Sequence, residues 1–151
     1  SLLLVENRAR REACQLHNEL PPGLWIQGDP GLVEQVLVNL LVNGLDAIAG
    51  RESRQLRLIL LERGSARVRI ALCDSGPGFA EAILPSLFTP FTSSKEVGLG
   101  LGLTICRSLL TRCAGEIGLA SALEGGAMVV LEFTVDPSAL PMTSAYDDAR
   151  E

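Results

Sequence analysis

Metal-ligating side chains are scarce in this chain. One histidine accompanies four cysteines, Cys14, Cys73, Cys106 and Cys113, which occur singly and form no C-x-x-C pair. That set excludes a zinc site of the usual ligand spacing. Three of the cysteines sit in apolar sequence, where a thiol serves as a small hydrophobe, and a reducing cytoplasm suits them. Basic charge is also short: 13 Lys and Arg against 18 Asp and Glu leave a net charge of −5. With no basic stripe to displace counterions, nonspecific nucleic-acid binding is not expected. No apolar run approaches the length of a membrane span, and no signal-peptide pattern opens the chain. The first residue is Ser1 rather than Met, so a fragment of a longer protein is expected.

What is present fits one folded domain. The 151 residues are 47% hydrophobic and 21% charged, enough for a full core and too few for a second one. The order of elements is legible. Residues 1–13 are helix-like, Cys14 to Leu20 alternates as a strand, and Leu24-Trp25-Ile26-Gln27 reads as a short second strand after the Pro21-Pro22-Gly23 turn. Asp29-Pro30 starts a helix, with Asp as cap and Pro in the first helical position, and Gly50 is placed to end it. Gln55–Glu62 and Ala66–Cys73 are strands split by Arg63-Gly64-Ser65, a hairpin. Glu81–Leu87 is a short helix, and residues 88–100 lack a period and form a loop. Leu101–Cys113 is an amphipathic helix whose apolar face holds Leu101, Ile105, Cys106, Leu109, Leu110 and Cys113. Glu116–Ala122 and Ala127–Val135 are two further strands. Beyond Pro137 the pattern is lost and a frayed tail is expected over 137–151. The expected class is an α/β (α+β) two-layer sandwich: a mixed, mostly antiparallel sheet with its helices on one face.

The helix after Pro30 carries an anomaly. Asn39, Asn43 and Asp46 stand at i, i+4 and i+7 in an otherwise apolar segment. At roughly 100° per residue the three fall within about 60° of one another, with Gln35 on the same edge. Val33, Val36, Leu37, Leu40, Leu41, Leu45 and Ile48 cover the opposite side, which must face a core. A single buried amide commonly does no more than satisfy backbone groups. Three polar groups in register, followed by two glycine-rich loops, point to a site.

The first loop is Asp74-Ser75-Gly76-Pro77-Gly78, directly after a strand. A carboxylate there can accept a hydrogen bond from an exocyclic amine while the glycines let backbone pass close to a flat ring. The second is Gly98-Leu99-Gly100-Leu101-Gly102-Leu103, which opens a helix and can direct N–H groups at an anion. Each motif alone is weak: D-x-G-x-G also describes ordinary turns, and no strand precedes the second loop as a dinucleotide fingerprint requires.

Their order and spacing are specific. Asn39…Asn43, Asp74-x-Gly-x-Gly, Phe88-x-x-Phe91 and Gly98-x-Gly-Leu-Gly-Leu103 together resemble the N, G1, F and G2 boxes of the catalytic ATP-binding domain of sensor histidine kinases, with the Bergerat fold. The resemblance covers residues 10 to 135, and the Asn43-Gly44-Leu45-Asp46-Ala47 wording is nearest the nitrogen-regulatory and dicarboxylate-sensing branch. It implies a catalytic domain over 1–136 that binds ATP and Mg²⁺ and phosphorylates a histidine. Asn43 would hold Mg²⁺ through its side-chain oxygen, with Asn39 beside it. Asp74 would take the adenine amino group, and Gly76 and Gly78 would admit the base. Phe88 and Phe91 would anchor a lid. Gly98, Leu99, Gly100, Leu101 and Gly102 would wrap the phosphates. Lys95 lies where a lid cation could neutralise a phosphate, or is a solvated loop lysine. Asp46 shares the helical face and is placed in the same site without a firm role. The lid, Thr92 to Val97, is short, which suggests modest affinity and rapid nucleotide exchange.

The same sandwich serves gyrase-type topoisomerases, heat-shock chaperones and mismatch-repair ATPases. In those families a Glu four residues before the metal-binding Asn activates water; here that position is Asn39. An amide is no general base near neutral pH, so hydrolysis should be slow and transfer to a protein favoured. The Asn-x-x-Asp-Ala run at 43–47 keeps a mismatch-repair-like ATPase as the alternative. His17 has the setting of a strand residue, not of a phosphoacceptor. The acceptor is therefore expected on a dimerisation hairpin outside these residues, with a response regulator downstream. No contact of this domain with membrane or nucleic acid is expected, and its place is the cytoplasm, although the parent protein could be membrane-anchored.

Overall fold

Asp29 starts the helix that organises the molecule. Its side chain accepts a hydrogen bond from the Gly31 backbone N–H at 2.8 Å, and Pro30 occupies the first helical position, satisfying one of the free donors of the first turn. In the computed structural model, which describes residues 2–77, 97–121 and 126–135 (97–102 and 121 by backbone alone), this helix, α2, runs Pro30–Ile48. Gly50, with φ +75°, turns the chain away just past its end, as a left-handed glycine does. The other elements are α1 (Leu2–Arg11), β1 (Gln15–Asn18), β2 (Gln55–Arg63), β3 (Arg67–Asp74), α3 (Val97–Arg112), β4 (Glu116–Ser121) and β5 (Ala127–Thr134).

The five strands form one sheet in the order β1-β2-β3-β5-β4, with β1 parallel to β2 and the other pairs antiparallel. Leu56, Val68, Ile70 and Leu72 project from one face of β2 and β3, together with Val129, Leu131 and Phe133 from β5. They share a core with Val36, Leu40, Leu45 and Ile48 of α2 and Leu103, Cys106, Leu109 and Leu110 of α3. Val5 and Ala9 bring α1 to the same core. This is the expected two-layer sandwich, mixed and mostly antiparallel. On the opposite face Arg67 pairs with Glu132 at 3.3 Å and Arg69 with Glu62 at 3.8 Å.

Four expectations need correction. Leu24–Gln27 is not a strand: Ile26 makes one antiparallel bridge to Val135, because the chain must turn at Gly28 to begin α2. The second glycine helix starts at Val97, not Leu101, so residues 97–100 are not loop. Once packed on α2, a helix extends towards its N-terminus by one hydrogen bond per residue, which overrides the low propensity of glycine. Its buried stripe is Leu103, Cys106, Leu109, Leu110 and Cys113, which turns Ile105 outward to 40% exposure. Lastly, α2 is by length and composition a helix long enough to cross a membrane. Here its apolar face is accounted for by the sheet, α1 and α3. Gly78, the Glu81–Leu87 helix, Phe88, Phe91, Lys95 and the tail from 137 lie outside the described residues.

Candidate functional site

The polar line on α2 ends where the loop after β3 begins. A Cβ placed on Gly76 would stand 3.1 Å from the Ala47 carbonyl oxygen and 3.4 Å from its Cβ, so the loop rests on the last turn of α2. Ala47 lies one turn beyond Asn43, on the same side of the helix. Asn43 and Asp74, 31 positions apart in the chain, are thereby brought to one corner. A glycine inside α2 permits this seating. The Cβ of any other residue at Gly44 would meet Leu56 Cδ2 at 2.7 Å, so α2 approaches β2 more closely there than a side chain allows.

Asp74 ends β3 half-buried. Its Oδ1 accepts from the Gly76 N–H at 2.8 Å and the Ala127 N–H at 3.2 Å. Burial raises its pKa above the ordinary carboxylate value, while those two N–H groups and the charge of Arg51 pull it down. Both hydrogen bonds fall on one oxygen, which fixes the plane of the carboxylate. Ser75 locks the loop from the other side: its Oγ donates to the Ser53 carbonyl at 2.8 Å and accepts from the Gln55 N–H at 2.9 Å. Gly126 closes the corner, since a Cβ there would overlap the Asp74 carbonyl oxygen.

Asn43 supplies an unusual observation. Its Nδ2 is buried and has no hydrogen-bond partner among the described residues. Leaving a buried donor unmet costs about 1–3 kcal/mol, and such a group in a folded protein calls for an explanation. The two ends of a carboxamide exchange by a half-turn of the side chain, so the same position can present an oxygen. Mg²⁺ takes oxygen ligands, and the amide oxygen that this half-turn would present at the half-buried Asn43 is a donor of that kind. A carboxylate held edge-on and a glycine without a Cβ, within one helical turn, fit a flat base bearing an amine. The residues present thus suit a magnesium nucleotide.

The remaining candidates divide. Asn39, half-buried, sits one turn before Asn43 and faces the Cys106 thiol of α3; burial pushes that thiol up to about 11, with Asn39 lowering it slightly. The thiol also donates to the Val36 carbonyl at 3.8 Å, so α3 lies directly on the polar line. Gly98, Leu99, Gly100, Leu101 and Gly102 are helical in backbone. Free N–H groups at that end belong to the first turn from Val97, and Gly102 lies past it. Asp46 is exposed and ion-paired with Arg8 of α1 at 2.6 Å. Sequence reasoning missed Ser75, Gly126 and Arg8 as parts of this corner. Gly126, the second of two consecutive glycines directly before β5, is the signal the sequence offers for a close approach there; nothing in the sequence joins Arg8 to Asp46.

Comparison with known proteins identifies the family and the fold. Residues 28–137 match the family described as histidine kinase-, DNA gyrase B- and HSP90-like ATPase. The phosphoglycerate transport system sensor protein PgtB of Salmonella typhimurium is 40% identical over 134 residues, 89% of this chain and 19% of that protein. The C4-dicarboxylate transport sensor protein DctS of Rhodobacter capsulatus is 39% identical over 117 residues, 77% of this chain and 18% of that protein. The chain thus spans about a fifth of the length of these relatives. Among solved structures, the catalytic domain of histidine kinase ThkA superposes with a TM-score of 0.74 at 26% identity, covering 91% of this chain and 89% of that one. Full-length ShkA in complex with AMPPNP gives 0.71 at 27% identity, covering 91% and 29%. The chain belongs to the histidine kinase-, DNA gyrase B- and HSP90-like ATPase family, as a catalytic domain of the sensor histidine kinase kind.

Proposed function

We propose that residues 1–136 bind Mg-ATP and pass its γ-phosphoryl group to a histidine on a dimerisation domain outside these residues. From there the phosphoryl group would reach a response-regulator aspartate, in the cytoplasm. The observation that carries this reading is the unpartnered buried amide of Asn43, one helical turn from the loop that holds Asp74.

Asn43 would hold Mg²⁺ through its amide oxygen, with Asn39 on the phosphate side. Bound there, the cation supplies neutralisation of phosphate charge. Asp74 would accept the adenine amine, on the carboxylate plane that Gly76 and Ala127 already fix. Gly76 and Gly78 would admit the ring, while Phe88, Phe91 and Lys95 would serve the lid and the phosphates. The backbone of the first turn of α3, with Gly98, Leu99 and Gly100, would face the phosphate chain at the positive end of the helix, whereas Leu101 and Gly102 would stand behind it. With an amide at Asn39, the position four residues before Asn43 offers no general base to take a proton from water near neutral pH. Phosphate is therefore kept for the histidine acceptor.

The test is transfer from ATP to a supplied acceptor hairpin by the wild-type chain and by Asn43→Ala. Transfer by the wild type and its loss in the variant, with the fold retained, are expected. Full transfer by Asn43→Ala would remove the metal assignment. Brisk hydrolysis by the wild type, with no transfer, would favour the mismatch-repair-like ATPase.

A further inference from the structure

Arg8 of α1 joins two carboxylates that the sequence keeps apart. Its terminal nitrogen donates to Asp46 Oδ1 at 2.6 Å, and its Nε to Glu12 Oε1 at 3.0 Å. Both contacts raise the pKa of the guanidinium further, Asp46 contributing most. α1 is anchored by Val5 and Ala9, at 3% and 1% exposure, so Arg8 rises from a fixed backbone. Its side chain is 27% exposed, whereas that of Asp46 is 62% exposed. The planar guanidinium, held at two of its nitrogens, has one orientation.

As a stabilising contact this arrangement is weak. An exposed ion pair contributes about 0.2–1 kcal/mol, and two carboxylates around one guanidinium repel each other. Its effect on position is stronger. Asp46 stands one turn beyond Asn43 on the polar line and next to Ala47, on which the Gly76 loop rests. An aspartate at an exposed helix end would otherwise sample several rotamers. Here one oxygen is committed to Arg8, which sets the direction of the other.

We propose, on the basis of the magnesium-nucleotide reading, that Arg8 is a positioning residue for the metal end of the site. By holding Asp46 Oδ1, it keeps the second carboxylate oxygen available to hydrated Mg²⁺ beside Asn43. Mg²⁺ retains several waters in protein sites, and an oriented carboxylate nearby strengthens binding without entering the coordination shell.

The experiment is calorimetric titration of the whole chain with a non-hydrolysable ATP analogue, across a magnesium series and in excess chelator. Arg8→Gln is expected to raise the half-saturating magnesium concentration about fivefold, the size of one exposed charge contact. Affinity for the metal-free analogue should stay within about twofold, and the Tm near the wild-type value. Asp46→Asn should match Arg8→Gln, and the double variant should be no worse than either alone. Arg8→Lys should recover part of the loss. Equal weakening with and without magnesium, additive single effects, or no shift would overturn the proposal. Wild-type chain that fails to bind the analogue would overturn the nucleotide reading as well. Binding by the wild type with an unchanged magnesium dependence in Arg8→Gln would overturn only the role of Arg8.

Discussion

Gly126 lies so close to Asp74 that a Cβ built on it would overlap the Asp74 carbonyl oxygen and stand 2.8 Å from the carbonyl carbon. Both partners are main chain, pinned where β3 ends and β5 begins, so neither can swing aside as a side-chain tip would. The neighbouring Ala127 N–H bonds Asp74 Oδ1, and any outward shift at 126 moves that donor too. Gly126→Ala should therefore cost at least about 1–3 kcal/mol, the range for overpacked interiors. Analogue affinity should fall further than the lost stability explains. Gly118→Ala in β4 is the control, because a Cβ there meets nothing within 4 Å. That change should be neutral or stabilising by up to about 1 kcal/mol. Denaturant midpoints of the two variants decide the matter; equal midpoints would refute the close approach.

Asp74 gives a prediction with a sign. Burial raises its pKa in the folded chain, against the pull of Gly76, Ala127 and Arg51. A folded carboxyl with a raised pKa binds its proton more tightly than the unfolded chain does. Its contribution to stability is fully present below the unfolded pKa and is lost as pH rises through the folded one. Asp74→Asn should remove that dependence, so the variant should gain stability relative to wild type on going from acid to neutral pH. Nucleotide binding should run the opposite way, because only the ionised carboxyl offers two acceptor oxygens. Analogue affinity of the wild type should fall on acidification, beginning above the pH at which an ordinary aspartate titrates. At neutral pH Asp74→Asn should bind the analogue about 100-fold more weakly, as expected when a buried acceptor becomes a donor facing a donor. Paired denaturation and calorimetry over the acid-to-neutral range would check both signs.

Much of this was legible because its causes are local. Asp29-Pro30 starts α2 through its own side chain and ring, and Gly50 ends it through its own φ. The alternation of Val68, Ile70 and Leu72 reports the buried face of β3 directly. The polar line on α2 needed only helical arithmetic. Other features depend on contacts distant in the sequence. The start of α3 at Val97 reflects packing on α2 more than the propensity of three glycines. The pairing of Arg8 with Asp46 spans 38 positions and leaves no periodic trace. The contact of Gly44 with Leu56, twelve positions on, likewise leaves no trace in the sequence of the helix.

That contact between Gly44 and Leu56 separates two opposed effects on α2. Alanine is favoured over glycine in a helix interior by roughly 1 kcal/mol, so on propensity alone Gly44→Ala should stabilise the chain. The added Cβ, however, would lie 2.7 Å from Leu56 Cδ2 and 3.3 Å from Cδ1. Leu56 is 1% exposed, so its tip has nowhere to retreat, and the strain of about 1–3 kcal/mol exceeds the propensity gain. Gly44→Ala should thus lower the denaturant midpoint and, by lifting α2 off β2 next to Asn43, weaken magnesium-dependent analogue binding. Leu56→Val alone should also destabilise, by the transfer and cavity cost of a lost methylene, about 1 kcal/mol. Combined, the two should be more stable than their summed effects, since the shortened side chain makes room for the new methyl group. A double-mutant cycle measures this coupling. Strict additivity would show that α2 is not seated on Leu56, and with it would go the close approach that brings Asn43 to the corner of Asp74.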